Sequence, residues 1–219
     1  MNKTIATEQL SKKPLAAAPS ILSQWSDEDL LDRYCSHGDP KVFGVLVHRY
    51  ERELYSYLRR YLGDAALAED AFQGTFLQVH LKCGQFEAGR KFRPWLYTIA
   101  MNCARNMKRA RRHEICLDDE SAQSDLVNSA PDSAANASEQ LQLREQTEEI
   151  RRAVLALPEE LRAPLVLFEF ESLSQSEIAQ ILGCTRKAVE VRIYRARQIL
   201  RKALTAQQPT AVQGHGFPN

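Results

Sequence analysis

From Phe43 onward, Leu46, Tyr50, Leu54, Tyr57 and Tyr61 follow one another at intervals of three or four residues. That spacing matches the turn of an α-helix and puts all six side chains on one stripe, which must be buried. The same period returns along most of the chain and nowhere gives way to the alternation of a half-buried strand. The fold is therefore expected to be all-α.

Cap and turn residues divide the helices. Ser26, followed by Asp27, Glu28 and Asp29, reads as a capped start with acids in the first turn. That helix should run through Tyr34 and stop near Gly38, and Asp39-Pro40 should restart the chain as a second helix. Gly63 ends the second, and Asp64 caps a third over roughly Ala65 to Lys82. Gly84 to Phe92 reads as a polar loop. Pro94 opens a long helix with Leu96, Ile99, Ala100, Cys103 and Met107 as its apolar teeth. Residues 114–138 lose the period and fill with Ser, Ala, Asp and Asn, so they read as a flexible linker.

Helical spacing resumes at Glu139, with Ile150, Val154 and Leu157 as candidate core positions. Pro158 begins a helix through about Phe170, and Ser174 with Glu177 matches a capping box. Gly183-Cys184-Thr185 then forms a turn before a closing helix. The expected organisation is an extension over 1–25 and a helical domain over 26–113. The acidic linker 114–138 leads to a helix-turn-helix domain over 139–204 and a tail over 205–219.

Net charge is only +1, but it is segregated. Gly89 to His113 carries eight Lys/Arg and no acid, whereas Glu114 to Glu149 carries ten acids against Arg144 alone. Thr185 to Ala203 holds seven Lys/Arg and one acid, Glu190. Two basic helical surfaces flanking an acidic stretch suit a polyanion touched at two points. No apolar run approaches the ~20 residues of a membrane span, and the first 24 residues lack the apolar core of a signal peptide. A cytoplasmic protein is expected.

The five cysteines form no CxxC pair, so free thiols are the simplest reading. Two HxxC pairs, His80/Cys83 and His113/Cys116, make zinc conceivable, but each is a two-residue coincidence and no metal is expected. No nucleophile–base set or acidic metal cluster appears, so neither an enzyme, a cofactor nor a small-molecule substrate is expected.

On the closing helix, Val189, Ile193, Ala196, Leu200 and Ala203 share one side. Lys187, Glu190, Val191, Tyr194 and Gln198 share the other. An apolar Val191 and a Tyr194 on the outer face, near the helix start, suit a helix that reads a major groove. The earlier basic segment interleaves Phe92, Trp95 and Tyr97 with Arg90, Lys91 and Arg93, then repeats Asn102, Arg105, Asn106 and Arg109 down a helix. Such residues suit phosphates, base edges and stacking on unpaired bases. The residues alone leave open a solvated helix face, a helix-turn-helix repressor or activator using 139–204 only, and a signalling adaptor or anti-regulator that binds proteins only.

"AEDAFQGTFLQVHLKCGQFEAGRKFRPWLYTIAMNCARNMKRARR" and "LSQSEIAQILGCTRKAVEVRIYRARQILRKAL", in that order across a linker, resemble the two domains of the extracytoplasmic-function sigma factors of the sigma-70 family. The resemblance implies a protein that binds core RNA polymerase and directs it to promoter DNA, with room for an anti-sigma factor. Asp70, Gln73 and Phe76 match the surface that docks on the polymerase. The Gly84–Phe92 loop, with Arg90, Lys91 and Phe92, matches the one that captures a base flipped from the −10 element. Asn102, Arg105, Asn106 and Arg109 match the helix that contacts that element. Glu190, Val191, Tyr194 and Arg195 match the −35 readers, with Arg186 and Lys187 near phosphates. The linker resembles the segment threading the polymerase cleft.

Three positions depart from the pattern: Gly74, where an acid is common; Lys187, where Gly is frequent; and Glu190, where a base is frequent. A carboxylate at 190 can accept from a cytosine amino group, or instead pair with Arg186 or Tyr194. Strand opening costs a few kcal/mol per flipped base. Free protein is expected to bind duplex promoter DNA poorly, since two small modules lack the contacts made in the holoenzyme and can mask each other.

Overall fold

The computed structural model describes residues 22–87, 89–117 and 137–207, with side chains for 22–87, 89–113 and 144–205. The described residues form helices α1 (Asp27–His37), α2 (Pro40–Leu62), α3 (Ala65–Lys82), α4 (Phe92–Leu117), α5 (Ala137–Ala156), α6 (Glu159–Glu169), α7 (Gln175–Leu182) and α8 (Arg186–Gln207), with a 3-10 turn over Cys83–Gln85.

Most boundaries fall where cap chemistry puts them. The Ser26 hydroxyl accepts from the Asp29 amide (3.1 Å), and Gly38 closes α1 at φ 65°. Gly63 closes α2 at φ 82°, a region L-residues rarely enter, and the Asp64 carboxylate accepts from the Leu67 amide at 3.0 Å. Ser174 and Glu177 form the reciprocal capping box, and the Thr185 hydroxyl accepts from the Ala188 amide at 3.2 Å. Each such cap stabilises its helix by about 1 kcal/mol.

Two boundaries differ from expectation. The long helix begins at Phe92, not Pro94, because the Phe92 amide donates to the Glu28 carboxylate (2.9 Å), and Pro94 fits the third position, where an amide would have no partner within the helix. It also continues to Leu117, into the range expected as linker. The rest of the linker, 118–136, lies outside the described residues.

The two halves do not stand apart on a tether. Leu54, Tyr57, Tyr61, Leu96, Tyr97 and Met101 form one end of a buried cluster that continues into Leu157, Val166, Ile178, Val189 and Ile193. Tyr57 lies edge-on to Tyr97 with centroids 5.1 Å apart. Ile150, expected in the core, is 44% exposed and lines an open groove with Phe170 and Leu200. Among the described residues, no helix is long and apolar enough to cross a membrane, and no group of three His, Cys, Asp or Glu could hold a metal ion.

Candidate nucleic-acid interface

α7, the Gly183 turn and α8 form a helix-turn-helix. Gly183 adopts φ 62° and its amide bonds back into α7, ending that helix and leaving only Cys184 and Thr185 before α8 begins at Arg186. Val189, Ile193 and Ala196 are buried against the domain, while Lys187, Glu190, Val191, Tyr194 and Arg195 are exposed on the opposite side. Tyr194 is 63% exposed, a large aromatic ring turned to solvent. Glu190 pairs with Lys187 (3.0 Å) and not with Arg186 or Tyr194, because Lys187 stands one turn back on the same face. Arg186 instead reaches Gln175 on α7 at 3.5 Å.

On α4, Asn102, Asn106 and Arg109 are exposed at i, i+4 and i+7, one continuous row. Arg105 is half-buried and turned to the second domain. Arg90 and Lys91 are exposed ahead of the helix, with Arg90 paired to Glu87 at 2.8 Å. Phe92 is fully buried, edge-on to Tyr50 and close to Trp95, so in this arrangement it anchors the loop and cannot meet a base.

On α3, Asp70 and Gln73 are exposed, and Leu77 and Leu81 continue that face at 56% and 61% exposure. Phe76 is the second exception: at 6% exposure it packs edge-on to Phe43 and Phe72 and lies beneath the surface. In both cases the hydrophobic gain from burying a phenyl ring sets its position. Gly74 faces α4, where a Cβ would stand 3.3 Å from the Met107 methyl, so its small size serves helix packing.

A polar seam between the two halves escapes sequence reading. Glu159, in the first turn of α6, accepts from the Tyr61 hydroxyl (2.7 Å) and Lys108 (3.1 Å), and Arg105 lies 3.5 Å away. Burial pushes the Glu159 carboxyl upward, but the Tyr61 and Lys108 hydrogen bonds with the Lys108 and Arg105 charges hold it below the usual range. Glu171 is 4% exposed, hydrogen-bonded by Tyr97 (3.0 Å) and paired with Arg60 (3.3 Å). Its desolvation outweighs those partners and raises its pKa. Ser172, at φ 52°, makes the tight turn beside it. Arg93 bridges the seam, pairing with Glu53 (2.7 Å) and donating to the Glu171 carbonyl (2.6 Å). Arg162 donates to the Tyr61 carbonyl (3.0 Å) and the Leu157 carbonyl (2.9 Å). An acid after Pro158 reads in sequence as a helix-dipole partner, and nothing local signals that Glu159 crosses to α4.

Residues 46–114 match the family described as sigma-70 region 2, and residues 147–200 match sigma-70, region 4. The chain is 34% identical over 188 residues to the RNA polymerase sigma-H factor of Pseudomonas aeruginosa, covering 84% of this chain and 96% of that one. It is 32% identical to the ECF RNA polymerase sigma-E factor of Escherichia coli (81% and 93% covered). It is 31% identical to the ECF RNA polymerase sigma factor SigW of Bacillus subtilis (76% and 91%). CnrH, solved in complex with the cytosolic domain of CnrY, superposes with a TM-score of 0.63 at 27% identity, covering 83% of this chain and 99% of that one. RpoE of Bartonella quintana, solved with the anti-sigma factor NepR, shares the fold at TM-score 0.62 and 22% identity, with 77% and 99% covered.

Proposed function

The chain belongs to the extracytoplasmic-function sigma factors of the sigma-70 family, and on that premise we propose how its exposed faces divide the work. It is an RNA polymerase sigma factor that initiates transcription through promoter recognition, with core polymerase and DNA as partners, and it is not an enzyme. In our reading, domain 139–204 reads the −35 element with Glu190, Val191, Tyr194 and Arg195, while Arg186 and Lys187 meet phosphates. Domain 26–113 engages the −10 element with Asn102, Arg105, Asn106 and Arg109, and Arg90 and Lys91 line the base-capturing loop that Phe92 anchors.

Asp70 and Gln73 form the polymerase-docking face, extended by Leu77 and Leu81 and supported from beneath by Phe76. The linker 114–138 passes through the polymerase cleft. An anti-sigma factor is a further partner, and the protein acts in the cytoplasm.

The observation that carries this reading is the pairing, in one chain, of an exposed helix-turn-helix face around Tyr194 with an exposed Asn102–Asn106–Arg109 row. Photo-crosslinkers placed at 194 and 106 in the holoenzyme test it. Crosslinks to the −35 region and to the non-paired −10 strand, respectively, are expected. Crosslinks from both positions to one short duplex segment would refute the two-point contact.

A further inference from the structure

Ile150 and Phe170 are large apolar side chains left 44% and 43% exposed, and both open into one groove. Ile150 and Val154 of α5, Leu165 of α6, Phe170 just past it and Leu200 of α8 line that groove. Its volume, about 290 Å³, lies at the floor of the roughly 300–1,000 Å³ of small-molecule sites, so a few side chains of a peptide segment suit it better. Its rim does not select an ion. Arg197 is already held by Glu169 at 2.6 Å and lies over the Phe168 ring at 5.4 Å, while Arg201 is turned to water. The groove therefore takes an uncharged, partly apolar segment.

We propose that its occupant is the chain's own C-terminal segment, residues 208–219, which lie outside the described residues, folded back from the end of α8. The segment departs from a helix that lines the groove. Arg197, Leu200 and Arg201 face it, Leu204 continues the same side at i+7 from Arg197, and α8 ends at Gln207. The stretch of α8 from Leu200 to Gln207 is about 10 Å long at 1.5 Å per residue. Residues 208–212, fully extended, span up to about 17 Å. Val212 can therefore return to the groove, and Phe217 follows with length to spare. Pro209 opposes a further helical turn, and Gly214 and Gly216 permit a reversal.

Composition agrees with position. Residues 208–219 carry Val212 and Phe217 and no Asp, Glu, Lys or Arg. The linker instead holds Asp118, Asp119 and Glu120, whose charges an apolar groove would desolvate. The N-terminal extension joins the fold beside Arg49, which donates to the Ser23 and Trp25 carbonyls. Phe170 lies under Arg60, about 16 Å farther along α2, so the extension starts farther from the groove. Tethering adds to the contact, because a short flexible linker holds its end at a millimolar effective concentration. Docking takes Ile150 and Phe170 out of water, covers a patch that invites association, and shuts the groove to protein partners in the free chain.

The full chain with the photo-crosslinker p-benzoylphenylalanine replacing Phe217 tests the assignment. Irradiation of dilute protein is expected to join residue 217 to peptides of the same chain that hold Ile150, Phe170 or Leu200. Ile150→Asp should lose most of that yield. Val212→Asp combined with Phe217→Asp, both beyond α8, should raise the fluorescence of the apolar dye anilinonaphthalene sulfonate at unchanged helical circular dichroism. Crosslinks between two chains would give the groove to a second copy and overturn the proposal. Groove adducts from a crosslinker at Leu15, with none from 217, would give it to the N-terminal extension and overturn it as well. So would crosslinks from 217 outside the groove, no crosslink at all, or dye binding indifferent to the two tail changes.

Discussion

Arg105, half-buried beside the exposed Asn102–Asn106–Arg109 row of α4, lies 3.5 Å from Glu159 of the opposite domain. The same carboxylate holds Lys108 at 3.1 Å, so one acid of the second domain neutralises two cations on the side of α4 next to the row proposed to meet DNA. Glu159→Gln keeps the Tyr61 hydrogen bond and removes the charge. We expect the seam to weaken by about 1–2 kcal/mol, the range for a partly exposed charged hydrogen bond. Free protein should then bind single-stranded −10 DNA several-fold more tightly in fluorescence anisotropy. Unchanged affinity would mean that Glu159 does not mask this face.

The two seam acids respond oppositely to pH. The folded pKa of Glu171 is raised, chiefly by burial, so its contribution to closure is present in acid and lost as pH rises through that value. Glu159 is lowered despite burial, so its contribution is present at neutral pH and lost as pH falls through its folded pKa. Interdomain fluorescence transfer followed from neutral pH to below the ordinary glutamate value of about 4.3 checks both signs. Glu159→Gln should abolish the opening at the acid end. Glu171→Gln should make closure less sensitive to rising pH.

Gly63 has a tertiary reason as well as a local one. At φ 82°, an added Cβ would stand 2.8 Å from a Leu155 methyl across the seam. Gly63→Ala should cost about 1–2 kcal/mol from the left-handed backbone alone. The extra cost of the clash should be recovered by adding Leu155→Ala, giving a non-additive double-mutant cycle in urea denaturation. Strict additivity would show that Leu155 moves aside freely.

The helices were legible because their signals are local. Ser26, Asp64, Ser174 and Gly183 each specify a boundary through a bond within a few residues, and the apolar stripes identified α2 and the inner side of α8. The outer face of α8 was legible for the same reason. What sequence could not supply depends on distant partners. Phe76 and Phe92 match contact positions, yet their rings are buried by Phe43, Phe72 and Tyr50. Ile150 has core spacing, but α5 turns it to an open groove. Glu159 and Glu171 carry no sequence mark of the cations they meet, since Lys108 and Arg60 are 51 and 111 residues away.

Glu190 remains the most informative residue of the recognition helix. Its partner Lys187 is exposed, so the 3.0 Å pair contributes little to stability and can be exchanged for a base contact. Glu190→Lys in the holoenzyme should change −35 preference at one base by about 1–3 kcal/mol, the discrimination expected of one specific contact. Selection from a randomised −35 library measures it. Identical preferences in the two proteins would exclude Glu190 from readout.

The central claim is that this chain gives core RNA polymerase its promoter choice through two separate DNA contacts. In-vitro transcription with purified core polymerase and a promoter library tests it most directly. The account predicts sequence-dependent starts only when the chain is added, lost on Tyr194→Ala at promoters needing the −35 element and on Asn106→Ala at all of them. Failure to bind core polymerase, or starts indifferent to the −35 and −10 sequences, would contradict it.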